Sequence, residues 1–249
     1  MSTLFLSNDK VFYTLEGEGK YIGQPSVFMR MSMCNLTCQG FKSESSPYGC
    51  DSYVSWSVKN KLVFEEIAKL FEAERYDLKL RAGAILKYTG GEPLIQQKAL
   101  LDFTRFITER WGFSPRIDFE TNATLLPLPE WSEDYCATFT TSPKLSTNGD
   151  PEDKRYKPEV IEWHARNAYS DCGSTFKFVV KDEQDILEIY EKYLTPFKIE
   201  KRHVWIMPMC GSREEHIEIA PKVAELAKEH NFNFSPRLHL LLWDMALKV

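Results

Sequence analysis

The sequence predicts an α/β protein in which a mostly parallel β-sheet is covered by helices, and three observations carry that reading. Short apolar runs alternate with stretches of helical periodicity along most of the chain. Several runs stop abruptly at polar motifs: Thr89-Gly90-Gly91-Glu92-Pro93, Glu120-Thr121-Asn122 and Ser142-Pro143-Lys144. No linker, repeat or low-complexity tract interrupts the 249 residues, which points to one domain over 1–249. Alternating strands and helices give a parallel sheet, and ligands of such sheets collect at the carboxyl ends of the strands.

In chain order, residues 11–24 begin strand-like and become glycine-punctuated at Gly17, Gly19 and Gly23, where the backbone can approach a ligand closely. Glu16 and Glu18 point to the same side if that segment stays extended. Pro25 opens a strand over Ser26–Met33 that contains Arg30, and an Arg on an apolar strand needs an acidic partner or a bound anion. Val63, Phe64, Ile67, Leu70 and Phe71 lie at helical spacing. Ala84–Tyr88 is a strand, followed by a helix with Leu100, Phe103, Phe106 and Ile107 on its core face. Strands are expected at Arg116–Glu120, Cys136–Thr141, Thr175–Val180 and His203–Met207. Helices are expected at 158–168, Asp182–Leu194 and 213–230, the last carrying Pro221. Leu238–Trp243 reads as a closing apolar strand.

A net charge of −5 argues against non-specific nucleic-acid binding. No 18-residue apolar run suggests a membrane span, and the first ten residues lack the features of a secretion signal, so a cytoplasmic protein is expected. Six cysteines in such a length give no dense disulfide framework. Cys136 and Cys210 sit in or beside apolar runs and read as small buried hydrophobes. Cys34, Cys38 and Cys50 are different, because they cluster on a loop following an apolar strand. Soft thiolates gathered in this way favour zinc or an iron–sulfur cluster over hard cations. Three without a fourth nearby leave one metal position for a non-protein ligand.

These elements together resemble the 7-carboxy-7-deazaguanine synthase family of radical S-adenosylmethionine (SAM) enzymes. The resemblance is carried by FYTLEGEG, Arg30-x3-Cys34-Asn-Leu-x-Cys38, Cys50-Asp51-Ser52, TGGEP, ETN, SPK and Arg237-Leu-His239, and it runs from about residue 11 to the carboxyl terminus. It implies a partial, open β/α barrel of the radical SAM type. It also implies a [4Fe–4S] cluster on Cys34, Cys38 and Cys50 whose fourth iron is chelated by SAM, the source of a 5′-deoxyadenosyl radical. SAM contacts then fall to Gly90, Gly91, Glu92, Glu120, Asn122, Ser142 and Lys144. The substrate, 6-carboxy-5,6,7,8-tetrahydropterin, falls to Glu16, Glu18, Gly19, Arg30, Thr89 and His239, with the Arg30 fork suited to its carboxylate. A Mg²⁺ ion is implied at Ser52, with Asp51 as a weaker ligand. A flavodoxin- or ferredoxin-type reductant and a homodimer are further implications.

The chain departs from the family pattern in places. Cys-x3-Cys-x2-Cys is usual, whereas about nine extra residues precede Cys50, an inserted loop at about 39–49. Loop closure grows only slowly more costly with length, so the insertion need not move the thiol. Glu16 stands for Gln, Ser52 for Thr, Ala123 for Gly, and Arg237 and Leu240 flank His239 in place of Gln and Lys. Two rival readings remain at this level. A glycyl-radical activase lacks the EGEG and Arg30 features and needs a protein partner. A non-catalytic zinc protein closes a tetrahedral site with three thiolates and a histidine.

Overall fold

Period-two alternation along the central strands sorts their side chains into two chemically distinct faces. In a computed structural model, which describes residues 2–40, 48–244 and 246, nine strands form one sheet. They are β1 (Thr3–Leu15), β2 (Pro25–Met31), β3 (Asn60–Val63), β4 (Ile85–Gly90), β5 (Ile117–Thr121), β6 (Thr138–Thr141), β7 (Ser174–Val180), β8 (Val204–Pro208) and β9 (Asn233–Phe234). Their order is β3-β1-β2-β4-β5-β6-β7-β8-β9. β1 runs antiparallel to both β2 and β3, and every pairing from β2 to β9 is parallel. The sheet is open, with β3 and β9 at its ends.

One face is apolar. Leu86 and Tyr88 of β4, Ile117 and Phe119 of β5 and Phe139 of β6 pack with the helices Phe64–Ala73 and Gln97–Trp111. Phe176, Phe178 and Val180 of β7, with Val204 and Ile206 of β8, form a second cluster under the helices Pro158–Asn167, Glu183–Glu188 and Arg213–His230. Burying these branched and aromatic side chains, about 1.5–3 kcal/mol each, is what holds helices to sheet. The intervening residues, Lys87, Asp118, Thr138, Thr140 and Lys177, are buried on the other face. A parallel sheet whose inner face is this polar is lining a site rather than completing a core.

Two sequence expectations are corrected. Leu238–Trp243 forms a short helix rather than a strand, because the sheet already ends at β9 and only Leu240 of that segment is fully buried. Cys136 is exposed and bonded to Cys172, with their Cα atoms 4.8 Å apart, so it is not a buried hydrophobe. The bond ties the entry of β6 to the entry of β7. Cys210 is buried, as expected. Of the loop expected at 39–49, residues 41–47 lie outside the described residues. The amino-terminal strand also starts earlier than the sequence suggests, at Thr3, with a register shift between Leu6 and Val11.

Candidate active site

A cavity of about 540 Å³ opens at the carboxyl ends of the parallel strands. Cys34, Cys38 and Cys50 all line it, and all three are free thiols. Burial pushes the Cys34 thiol up to about 12 and the Cys50 thiol to about 11, and raises Cys38 in the same sense. Such thiols need a bound cation to become thiolates. Among the described residues no three His, Cys, Asp or Glu side chains converge to hold a single metal ion. A tetrahedral zinc needs that convergence. A cluster of several irons does not, since each thiolate takes its own iron, and three free thiols spread around one cavity fit it.

The Gly-Gly turn explains how the first thiol is placed. The Gly91 and Glu92 amides donate to the carbonyls of Met31 (3.1 Å) and Met33 (2.9 Å) on the segment leading into Cys34. A Cβ at Gly90 or Gly91 would collide with that backbone, and Gly90 has a φ of +118°. Glu92 is fully buried and does not line the cavity. Its carboxylate accepts from the Asn122 amide (2.7 Å), the Thr121 hydroxyl (2.9 Å) and the Leu94 amide (3.0 Å), which ties the end of β4 to the end of β5. Burial pushes its pKa up to about 7.

Glu16 and Glu18 both reach the cavity, two residues apart on an extended segment, while Gly17 between them lies against the His239 ring. Lys87 pairs with Glu16 (2.6 Å) and Asp118 (2.5 Å) beneath the floor. Burial, with the nearby Glu120 charge, outweighs Lys87 and brings Glu16 to about 7. Burial acts the same way on Glu18, but Lys177 (2.6 Å) and Arg237 (2.9 Å) overcome it and hold that carboxyl well below its ordinary value. Lys177 also lies 3.5 Å from Glu120, which accepts from the Thr89 hydroxyl at 2.7 Å. Gly19 is buried outside the cavity, its amide donating to Ser235 at 2.7 Å.

Arg30 lines the cavity with its guanidinium over the Phe12 ring and 3.5 Å from Asp9. Asp9 sits in the irregular stretch of β1 and also accepts from Ser55 (2.7 Å). Gly90, Gly91, Thr89, Glu120, Asn122, Ser142, Lys144 and His239 all line the same cavity. The Lys144 ammonium donates to Ser142 at 3.0 Å, and the Asn122 amide donates to Asn35 at 2.9 Å. Burial lowers the His239 pKa. Asp51 and Ser52 are at the rim, where Asp51 accepts from Arg237 (2.5 Å) and from Ser52 (3.2 Å). Lys87, Lys177 and Asp118 fall outside the motifs that the sequence singles out, and Arg237 belongs to the Arg-Leu-His motif while also departing from the family pattern. Each of the first three is a charged residue alternating with aromatics or aliphatics in a strand, a pattern that on the sequence alone suits a solvent-facing position as well as a site.

An open, mostly parallel sheet with three free thiols beside a Gly-Gly turn at its carboxyl rim defines the radical SAM class of enzyme. No protein-family model matches the chain. It is 33% identical to the 7-carboxy-7-deazaguanine synthase of Hyperthermus butylicus, over 94% of this chain and 91% of that protein. The enzymes of the same name from Pyrobaculum aerophilum and Halobacterium salinarum are 31% and 32% identical, over 95% and 96% of the chain and 94% and 90% of their own lengths. The crystal structure of QueE from Escherichia coli superposes with a TM-score of 0.63 at 19% identity, covering 95% of both chains. The chain belongs to the 7-carboxy-7-deazaguanine synthase family.

Proposed function

We propose that this chain converts 6-carboxy-5,6,7,8-tetrahydropterin to 7-carboxy-7-deazaguanine with loss of ammonia, as a radical SAM lyase. The observation that carries this is one cavity holding both halves of the chemistry, three free thiols at one side and a carboxylate-and-guanidinium floor at the other. Cys34, Cys38 and Cys50 are the cluster ligands in this reading. When bound, the [4Fe–4S] cluster and SAM supply the one-electron chemistry that removes a hydrogen atom from the substrate. Gly90 and Gly91 offer backbone to the SAM amino group, while Glu120, Asn122, Ser142 and Lys144 serve its ribose and carboxylate. Glu92 and Gly19 act one layer back, holding the turns whose neighbours face the cavity.

On the substrate side, Arg30 takes the pterin carboxylate, held in aim by Asp9 and Phe12. Glu16 and Glu18 accept from the pterin N–H donors, with Thr89 and His239 completing the pocket. Ser52 is the better Mg²⁺ ligand of the rim pair, since one Asp51 oxygen is already committed to Arg237. No helix among the described residues is long and apolar enough to cross a membrane. We place the enzyme in the cytoplasm as one domain, a homodimer reduced by a flavodoxin or ferredoxin.

Anaerobic reconstitution followed by dithionite, SAM and the carboxylated pterin tests the proposal, with the ring-contracted product read by mass. Four irons and sulfides per chain and that product are expected. One tightly held zinc, or deoxyadenosine formed without the deazapurine, would overturn it.

A further inference from the structure

The third thiol stands twelve residues beyond the second. Besides the Trp56 ring N–H, which donates to its sulfur at 3.4 Å, two features hold its backbone at the cavity despite that gap. At the base of the loop, Gly49 adopts a φ of +86°, and a Cβ there would come within 2.6 Å of the Cys38 carbonyl. The two ends of the loop therefore touch. On the far side, Asp51, the residue after Cys50, is gripped by Arg237, whose Nη2 donates to it at 2.5 Å. The Arg237 Nε donates to Glu18 at 2.9 Å and its Nη1 to the Cys210 carbonyl. The Arg237 backbone is itself fixed, because its amide donates to His216 (3.1 Å) and the next amide donates to the Gly17 carbonyl (2.9 Å). A guanidinium on a side chain only 7% exposed and ligated on both edges is a rigid anchor rather than a surface ion pair.

We infer that Arg237 is a positioning residue for the third cluster thiol, locking Asp51 to Glu18 so that Cys50 stays at the cavity rim across a lengthened loop. This deepens the proposed function and rests on it for the role of Cys50. The lock also couples the two halves of the cavity, since Glu18 faces the substrate side. The short ligand spacing that the family pattern leads one to expect needs no such device, because two intervening residues leave a thiol little room to wander.

The test is the alkylation rate of each thiol in the metal-free protein, read by mass, in wild type, Arg237→Gln and Asp51→Asn. Releasing the lock is expected to speed Cys50 alkylation by about tenfold or more while leaving Cys34 nearly unchanged. Asp51→Asn keeps Arg237 on Glu18, and so reports the lock even where Arg237→Gln fails to fold. Arg237→Lys, which keeps the charge but not the fork, should restore protection only in part. After reconstitution, Arg237→Gln and Asp51→Asn should show depleted iron or an altered electron-paramagnetic-resonance signal of the reduced cluster. Unchanged Cys50 alkylation in both Arg237→Gln and Asp51→Asn would overturn the inference. A wild type that takes up no cluster sinks the enzyme assignment instead, and the alkylation rates still decide whether the lock exists.

Discussion

Replacing Lys87 by Met isolates what the buried floor of the cavity costs and what holds it. Lys87 is fully buried between Glu16 at 2.6 Å and Asp118 at 2.5 Å. Asp118 has other support, accepting from Thr138 (2.6 Å) and Thr140 (3.0 Å). Among the described residues Glu16 keeps a backbone amide within hydrogen-bond reach, that of Glu18 at 3.1 Å, and no second donor. Removing one member of a buried pair costs about 3–5 kcal/mol. At about 2–4 °C per kcal/mol for a chain of this size, the midpoint of the metal-free protein should fall by about 6–20 °C at pH 8. The loss should depend on pH. Glu16 titrates near 7 when folded against an ordinary 4.5, so it binds its proton more tightly in the native state. Its contribution to stability is therefore full below 4.5 and fades as pH rises through 7. Without Lys87 that carboxyl moves higher still, so the variant should lose much of its deficit at pH 5, where Glu16 is neutral. Replacing all three partners together, as Glu16→Gln, Lys87→Met and Asp118→Asn, should recover much of the midpoint. Thermal denaturation followed by circular dichroism at pH 5 and pH 8 reads all of this. A Lys87→Met protein that melts with wild type at pH 8, or whose deficit is the same at both values, refutes the reasoning.

Three further outcomes follow from the same geometry. Gly17→Ala pushes a methyl into the His239 ring, so KM for the pterin should rise several-fold with SAM binding intact; an unchanged KM would remove His239 from the pocket. Arg30→Ala should weaken pterin binding and spare SAM, and equal losses of both by calorimetry would contradict its assignment. The Cys136–Cys172 bond closes 36 residues, worth about 3–4 kcal/mol by chain entropy. Cys136→Ser with Cys172→Ser should therefore lower the midpoint by about 6–16 °C with kcat unaltered, because the bond sits at the strand entries and the cavity at their exits. Loss of turnover without loss of stability would place that bond in the wrong functional context.

The fold was legible where a strand and the helix after it carry opposite periodicities, as in Ala84–Tyr88 followed by Leu100, Phe103, Phe106 and Ile107. It was not legible at Leu238–Trp243, where six residues of apolar composition suit a strand or a helix equally. Only the position of β9 at the sheet edge decides between them. The three thiols, Glu16, Glu18 and Arg30 were visible because their residue types are unusual at those places. Lys177 and Lys87 were hidden because a lysine inside an apolar strand has an innocent reading on an exposed face, and which face is exposed depends on packing across five strands. The pairing of Cys136 with Cys172 was hidden for a similar reason, since nothing local brings residues 36 apart to a 4.8 Å Cα separation.

The inner face bears a thermodynamic signature of its purpose. Glu16, Glu18, Asp118 and Glu120 are held against Lys87 and Lys177, with Arg237 and Asp51 extending the chain of charges to the thiol loop. Well-packed apolar residues in those places would stabilise the protein at least as well, because desolvating an ion pair consumes most of what its attraction returns. A strand such as β7 could as easily have carried an aliphatic residue at 177 as at 179. Fixed charges are justified only if something polar must be bound in a set orientation without reorganisation at the moment of reaction. The substrate of this family carries a carboxylate and several N–H donors on one rigid ring system, and SAM carries an ammonium, a carboxylate and a ribose. Their donors and acceptors have counterparts on this floor and rim.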